Sequence, residues 1–231
     1  MPITPTVIFI AAQINAREME ILEPYGADNP QPLFGLYNME ISSIQPVGNG
    51  KHLRITVKRK GYSVTVILFS VSPADFPYKV SDKVDLAVKL SSNEYMGKTQ
   101  VSIQVKDIRL TEYDDSKVLN SEKDYEDFCS GKELTSSAVK NLSVDRDFCG
   151  NIYRFIKANN GWNYSAEMLC YRLGLSEEYL TSCKIALDVL SDLGIIICKE
   201  GKYILPSENV KSSLENSSVF RRVTELKNQR I

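Results

Sequence analysis

Five cations crowd into ten residues of this chain: Lys51, Arg54, Lys58, Arg59 and Lys60, with the single histidine, His52, among them. Guanidinium and ammonium groups at this density suit one kind of chemistry, the neutralisation of phosphates along a nucleic-acid backbone. The competing reading is a solvated strand face whose lysines guard an edge. For His52, a strand histidine held by hydrogen bonds competes with a nucleic-acid contact, and a lone histidine makes a poor metal site. The five cysteines, Cys129, Cys149, Cys170, Cys183 and Cys198, are odd in number and never spaced as CxxC. That pattern favours reduced thiols over a disulfide framework or a zinc centre. No catalytic residue and no metal ligand is assigned.

The cations need an element that turns them outward, and the stretch GNGKHLRITVKRKGYSVTVILF supplies it. Leu53, Ile55 and Val57 alternate with His52, Arg54, Thr56 and Lys58, and Val64, Val66 and Leu68 alternate with Ser63 and Thr65. Period-two alternation marks strands buried on one face. Five strands are expected, near 34–46, 51–58, 62–71, 83–92 and 99–110. Their turns fall at Gly48-Asn49-Gly50, Arg59-Lys60-Gly61 and Asn93–Gly97. Pro73–Tyr78 leaves room for a short helix or loop between the third and fourth strands. This order predicts a small Greek-key barrel of the oligonucleotide-binding (OB) type over residues 33–112. Net charge over the whole chain is −1. Residues 33–112 carry 11 Lys and Arg against 7 Asp and Glu, whereas each flank, 1–32 and 113–144, is net −3. A basic block between acidic flanks points to a local binding face.

Upstream, residues 6–12 read as a strand and Ala16–Leu22 as a helical turn, followed by the rigid connector PYGADNPQPLF. Residues 1–32 are therefore expected to be the end of a preceding domain and its connector. Downstream the period changes. Residues 113–144 read as an acidic, Ser-rich linker with a short helix near Glu122–Cys129. Helices are expected over Asp145–Ala158, Ser165–Leu173 and Ser176–Leu193, with Ser176-x-x-Tyr179 as a weak capping box. A hairpin over Ile195–Leu205 turns at Glu200-Gly201, giving a winged-helix-like order over 145–206. A last helix near Ser217–Gln229 falls within 207–231. The class is thus α+β. The third helix of the winged-helix-like part carries Glu177, Glu178, Asp188 and Asp192 against Lys184 alone, which disfavours a duplex-reading role and favours protein contact. No segment approaches the length of a membrane span, and Val7–Ala12 is too short for a signal peptide, so a cytoplasmic protein without a membrane role is expected.

Three stretches resemble the C-terminal part of the RecJ family of single-stranded-DNA-specific exonucleases. PYGADNPQPLF resembles that family's PFGxGNPxPxF connector, with Tyr25 and Asp28 where Phe and Gly are preferred. VGNGKHLRITV resembles its His-Leu-Lys strand, with Arg54 in the Lys position. NEYMGKTQVSIQVKDIRL resembles its closing hairpin, with Tyr95 at an often aromatic position, and the tail KSSLENSSVFRR is a weaker likeness. The resemblance implies an OB domain that binds single-stranded DNA and guides it to a catalytic core acting 5′ to 3′ in repair and recombination. In the family that core holds divalent metal (Mn or Mg) on an Asp-His-His motif. This chain has one histidine, so it is read as a natural or excised C-terminal portion that does not itself hydrolyse DNA.

In barrels of this type single strands lie across the second and third strands, flanked by the loops after strands one and four; that face offers His52, Arg54, Lys58 and Lys60, with Lys51 in the first loop and Tyr95 and Lys98 in the second. Tyr95 would stack on a base or fold onto the barrel. The implied partners are single-stranded DNA, the catalytic core of the same enzyme and the acidic tail of single-stranded-DNA-binding protein. On the last helix, Arg221 and Arg222, with Lys227 and Arg230, would receive that tail or form a solvated face. A different class stays open, a protein-interaction scaffold whose basic strand packs on another domain without touching DNA. A duplex reader acting through the wing is a third.

Overall fold

The alternating runs at the centre of the basic block resolve into a closed barrel in a computed structural model that describes residues 30–95, 98–208 and 210–229. Strands β1 (Phe34–Val47), β2 (His52–Arg59), β3 (Tyr62–Leu68), β4 (Lys83–Tyr95) and β5 (Lys98–Leu110) close in the order β1-β2-β3-β5-β4. All neighbours are antiparallel except β3 and β5, which run parallel. This is the five-stranded OB-type closure expected from the strand count. Inward positions of every strand supply the core, with Leu36, Ile41, Leu53, Ile55, Val66 and Leu90 fully buried. Burial of such side chains stabilises by about 1.5–3 kcal/mol each. A single 3₁₀ turn, Pro73–Asp75, fills the link between β3 and β4. The expected strand and helical turn before residue 30, and most of the connector, lie outside the described residues.

A tight turn orients β2. The β2–β3 link is a two-residue hairpin, since Arg59 pairs with Tyr62 and both Lys60 (φ 48°) and Gly61 (φ 84°) are left-handed. Such turns match the natural twist of the strands they join. Closure depends on β1, whose register slips between Leu36 and Met39 and again between Ile41 and Ser43, so that one strand pairs with both β4 and β2. Asp85 fixes the first slip. Its carboxylate accepts from the Asn38 amide at 2.8 Å, from the Thr111 hydroxyl at 2.7 Å and from the Arg109 guanidinium at 3.2 Å.

The second compact unit spans Tyr113–Ile231. It holds α1 (Asp115–Ser130), α2 (Ser136–Asn141), α3 (Arg146–Ala158), α4 (Ala166–Arg172), α5 (Leu180–Asp192), the hairpin β6 (Ile197–Lys199) and β7 (Lys202–Ile204), and α6 (Ser218–Asn228). Side chains of Asp145, Ser165 and Ser217 cap α3, α4 and α6 by accepting backbone amides. Trp162 and Tyr203 exchange backbone hydrogen bonds at 2.7 and 2.8 Å, which ties the segment between α3 and α4 to the hairpin.

Two expectations are corrected. Residues 113–144 hold more than a linker with a short helix near Glu122–Cys129: α1 is a 16-residue helix capped by Asp114, and Leu134, Ala138, Val139, Leu142 and Val144 are buried. Ser176 makes no side-chain cap; a 3₁₀ turn over Glu177–Tyr179 leads into α5 instead. The helix α5 is the centre of this unit, packed by α1, α3, α4 and α6, with nine of its residues from Leu180 to Leu190 buried. A helix covered in this way has no free face to enter a DNA groove.

Candidate nucleic-acid interface

Alternation places Arg54, Thr56 and Lys58 on the outside of β2, while Leu53, Ile55 and Val57 are fully buried beneath them. Cross-strand register then sets what each outward side chain meets. Arg54 sits between Gln45 of β1 and Ile67 of β3, and Ile67 pairs in turn with Gln104 of β5. Thr56 lies between Ser43 and Thr65. No acid flanks Arg54, which is exposed and makes no ion pair among the described residues. Lys51 and Lys60 are likewise exposed, in the turns at the two ends of β2. At about 3.3 Å per residue, the three cations mark a strip about 30 Å long.

Lys58 differs from its expected role. Its register partner on β1 is Glu40, and its ammonium lies 3.0 Å from that carboxylate. Half-exposed pairs of this kind add little stability, but they cancel the charge that a phosphate would meet. Arg59 is engaged as well, donating to the Tyr37 carbonyl at 2.7 Å. His52 is held rather than free: its Nδ1 accepts the Ser70 amide at 3.0 Å, and its ring meets Phe69 edge-on with centroids 5.0 Å apart. The hydrogen-bonded strand histidine is therefore what the structure contains.

Because β3 and β5 run parallel, their first residues lie at one end of the barrel. The tip of the β4–β5 hairpin thus falls at the Lys60 end, opposite Lys51. Tyr95 ends β4 and Lys98 begins β5, and the side chains of both lie outside the described residues. In the helical unit, Arg221 donates from Nη1 to the backbone carbonyls of Glu215 and Asn216, and Arg222 lies over the Phe128 ring at 4.6 Å. Both arginines therefore already serve the packing of α6. Lys227 falls in the last turn of α6, and Arg230 lies outside the described residues.

Nothing in the described residues forms a metal site: no three His, Cys, Asp or Glu side chains gather closely enough. Cys149, Cys170 and Cys183 are buried, and Cys129 and Cys198 are exposed. Burial pushes the Cys149 thiol up to about 11. A hydrogen bond with Cys183, followed by burial, raises Cys170. The thiols of Cys149 and Cys170 stay protonated and unreactive at neutral pH. Sequence reasoning missed Phe69, an aromatic that directly follows the second alternating run at the same parity as the outward Ile67.

Residues 11–107 match the family model of the RecJ OB domain. The single-stranded-DNA-specific exonuclease RecJ of Thermus thermophilus is 32% identical over 96 residues, covering 42% of this chain and 13% of the relative. Crystal structures of RecJ from the same organism in complex with Mg2+ and with Mn2+ are each 31% identical at a TM-score of 0.32, covering 44% of this chain and 15% and 14% of theirs. The barrel is thus similar to a RecJ OB domain, and the chain spans a small part of the length of the relatives it matches.

Proposed function

We propose that the barrel binds single-stranded DNA along the outer face of β2 and β3, as part of a RecJ-like 5′-to-3′ exonuclease of the cytoplasm acting in repair and recombination. The observation that carries this reading is Arg54, an exposed guanidinium with Gln45 and Ile67 as strand neighbours, in line with Lys51 and Lys60. A preformed cationic strip on a closed sheet needs little rearrangement to take an extended backbone. Hydrolysis belongs to a divalent-metal core supplied by other parts of the enzyme. The described residues gather no three His, Cys, Asp or Glu side chains for such a metal, and no catalytic step is assigned to them.

The helical unit, winged-helix-like in its element order, is the proposed docking module. A groove of about 840 Å³ there sets Arg146, Lys157 and Lys211 around Tyr153, Leu190 and Phe220. Cations rimming this groove fit an acidic tail, such as that of single-stranded-DNA-binding protein, better than the packed Arg221 and Arg222 do. The covered face of α5 counts against duplex reading.

Oligonucleotide binding by the 231-residue chain, followed against salt, tests the barrel. With Lys51, Arg54 and Lys60 each releasing counterions, affinity should fall about 20-fold between 50 and 200 mM salt, from a slope of roughly −0.7 per contact. Arg54→Glu with Lys60→Glu should abolish binding. Removing the Lys58–Glu40 pair with Lys58→Gln and Glu40→Gln should leave it unchanged. Binding that ignores both salt and the Arg54 reversal would instead favour a scaffold whose basic strand packs on another domain.

A further inference from the structure

We propose that Phe69, locked by His52, is a stacking platform for an unpaired nucleobase at the Lys51 end of the strip. The inference rests on the single-strand reading above and adds to it a site for the base rather than the phosphate.

Phe69 is 45% exposed. One exposed apolar ring is ordinary on a protein surface; what sets this one apart is how firmly it is held. The β2–β3 register pairs Leu53 with Leu68 and Arg54 with Ile67, so its continuation sets His52 opposite Phe69 in the row next to Arg54. The two rings meet edge to face at 65°, an arrangement favoured by their quadrupoles that leaves a ring face uncovered. His52 is fixed on its far side as well. Its Nδ1 accepts the Ser70 amide, and Ser70 is itself left-handed at φ 59°. On another side lies Gly48, where an added Cβ would come within 2.8 Å of His52 Cδ2. Two backbone segments, at Ser70 and at Gly48, therefore bound one imidazole, and the imidazole meets the phenyl ring.

A ring fixed before binding loses little entropy when a base lands on it. Lys51 precedes His52 and Arg54 follows two residues later, so cations stand on both sides to take the flanking phosphates. A paired base is stacked on its neighbours and offers no such face, which makes the platform selective for unpaired strands. His52 is a positioning residue here.

The test compares the full chain with Phe69→Leu, Phe69→Trp and His52→Ala, using an oligothymidylate and the same backbone carrying abasic sugars. Thermal melting first confirms that each variant folds. Phe69→Leu should weaken oligothymidylate binding by about 5- to 150-fold, the range of one base–aromatic stack, with an unaltered salt slope. The abasic strand should bind wild type and Phe69→Leu alike. Phe69→Trp should retain affinity and lose emission on binding, against the constant background of Trp162, which is 6% exposed. His52→Ala should weaken binding in wild type and add little in Phe69→Leu, since both act through one platform. Salt-dependent binding that Phe69→Leu does not weaken, or Phe69→Trp emission that the strand leaves unmoved, overturns the platform and spares the single-strand reading. Wild type binding neither strand overturns both.

Discussion

Gly48 and Gly50 occupy one turn, are both left-handed, and differ in what surrounds them. At Gly48 (φ 59°) a Cβ would strike the His52 ring, whereas at Gly50 (φ 78°) nothing lies within 4 Å. Alanine at either position forces an L residue into the left-handed region, at a cost of about 1–2 kcal/mol. Only Gly48→Ala also displaces the imidazole. Urea unfolding should therefore show a similar backbone loss in both variants and a larger one in Gly48→Ala. Oligonucleotide affinity should fall in Gly48→Ala and hold in Gly50→Ala. Equal affinities for the two would mean that the His52 ring has room to yield. None of this is visible in the sequence, where the glycines look alike and His52 lies far along the chain from Phe69. The strand that carries Arg54 is legible because alternation is local; whether a cation is free depends on the neighbouring strand. Arg54 and Lys58 share one face and one parity, yet Glu40 pairs only with Lys58.

At the scale of elements, the β2–β3 turn sets local preference against charge. A two-residue hairpin with both positions left-handed favours Asn-Gly, and this one has Lys60-Gly61. Keeping lysine in that conformation costs stability and places a cation at the tip of the strip, a conflict typical of functional positions. Lys60→Asn should raise barrel stability by up to about 1 kcal/mol. It should also cut the affinity loss between 50 and 200 mM salt from about 20-fold to about 7-fold, one contact fewer. A variant that gains stability while keeping the full salt dependence would remove Lys60 from the interface. Barrel closure makes a second prediction. Asp85 joins β1, β4 and β5 through partners 24 to 47 residues away in sequence. Asp85→Ala removes the acceptor of the Asn38 amide and of the Thr111 hydroxyl, so the urea midpoint should fall by the equivalent of about 2–4 kcal/mol. A loss below about 1 kcal/mol would show that water replaces the carboxylate. Strands could be read from alternation, and the start of α4 from Ser165 as its cap. Of helix α1 only the part near Glu122–Cys129 could, because among its described side chains only Ser121 and Phe128 are buried. Its acidic, weakly patterned sequence resembles a linker, and its packing against α5 lies far along the chain.

Across the whole molecule the two units have different electrostatics, and the helical one should report its own response to pH. Burial, as the largest cause, raises the carboxyls of Asp124, Glu167 and Asp188 above their ordinary values of 3.8 for Asp and 4.5 for Glu. Hydrogen bonds from serines lower Asp114, Asp192 and Glu215 below them. An acid whose folded value is raised binds its proton more tightly when folded. Its protonation therefore stabilises the unit as pH falls from neutrality through the raised value. An acid whose folded value is lowered does the reverse: its contribution is complete above the ordinary value and is lost as pH drops through the lowered one. Asp192 shows the structural consequence, because its carboxylate accepts from the Ser217 hydroxyl and the Ser218 amide where α6 begins. Stability of residues 113–231 should therefore rise on mild acidification, peak near the ordinary carboxylate values and fall below them, with α6 loosening first. Thermal melts followed through Trp162, the only tryptophan and one that lies in this unit, separate that response from the barrel. Hydrogen exchange along 218–228 localises the acid limb. Asp192→Asn keeps an acceptor oxygen but removes its titration, so it should flatten the loss of α6 protection below the Asp range and leave the rise on mild acidification intact. A melt that declines steadily from neutrality downward would show that the buried carboxyls do not govern this unit.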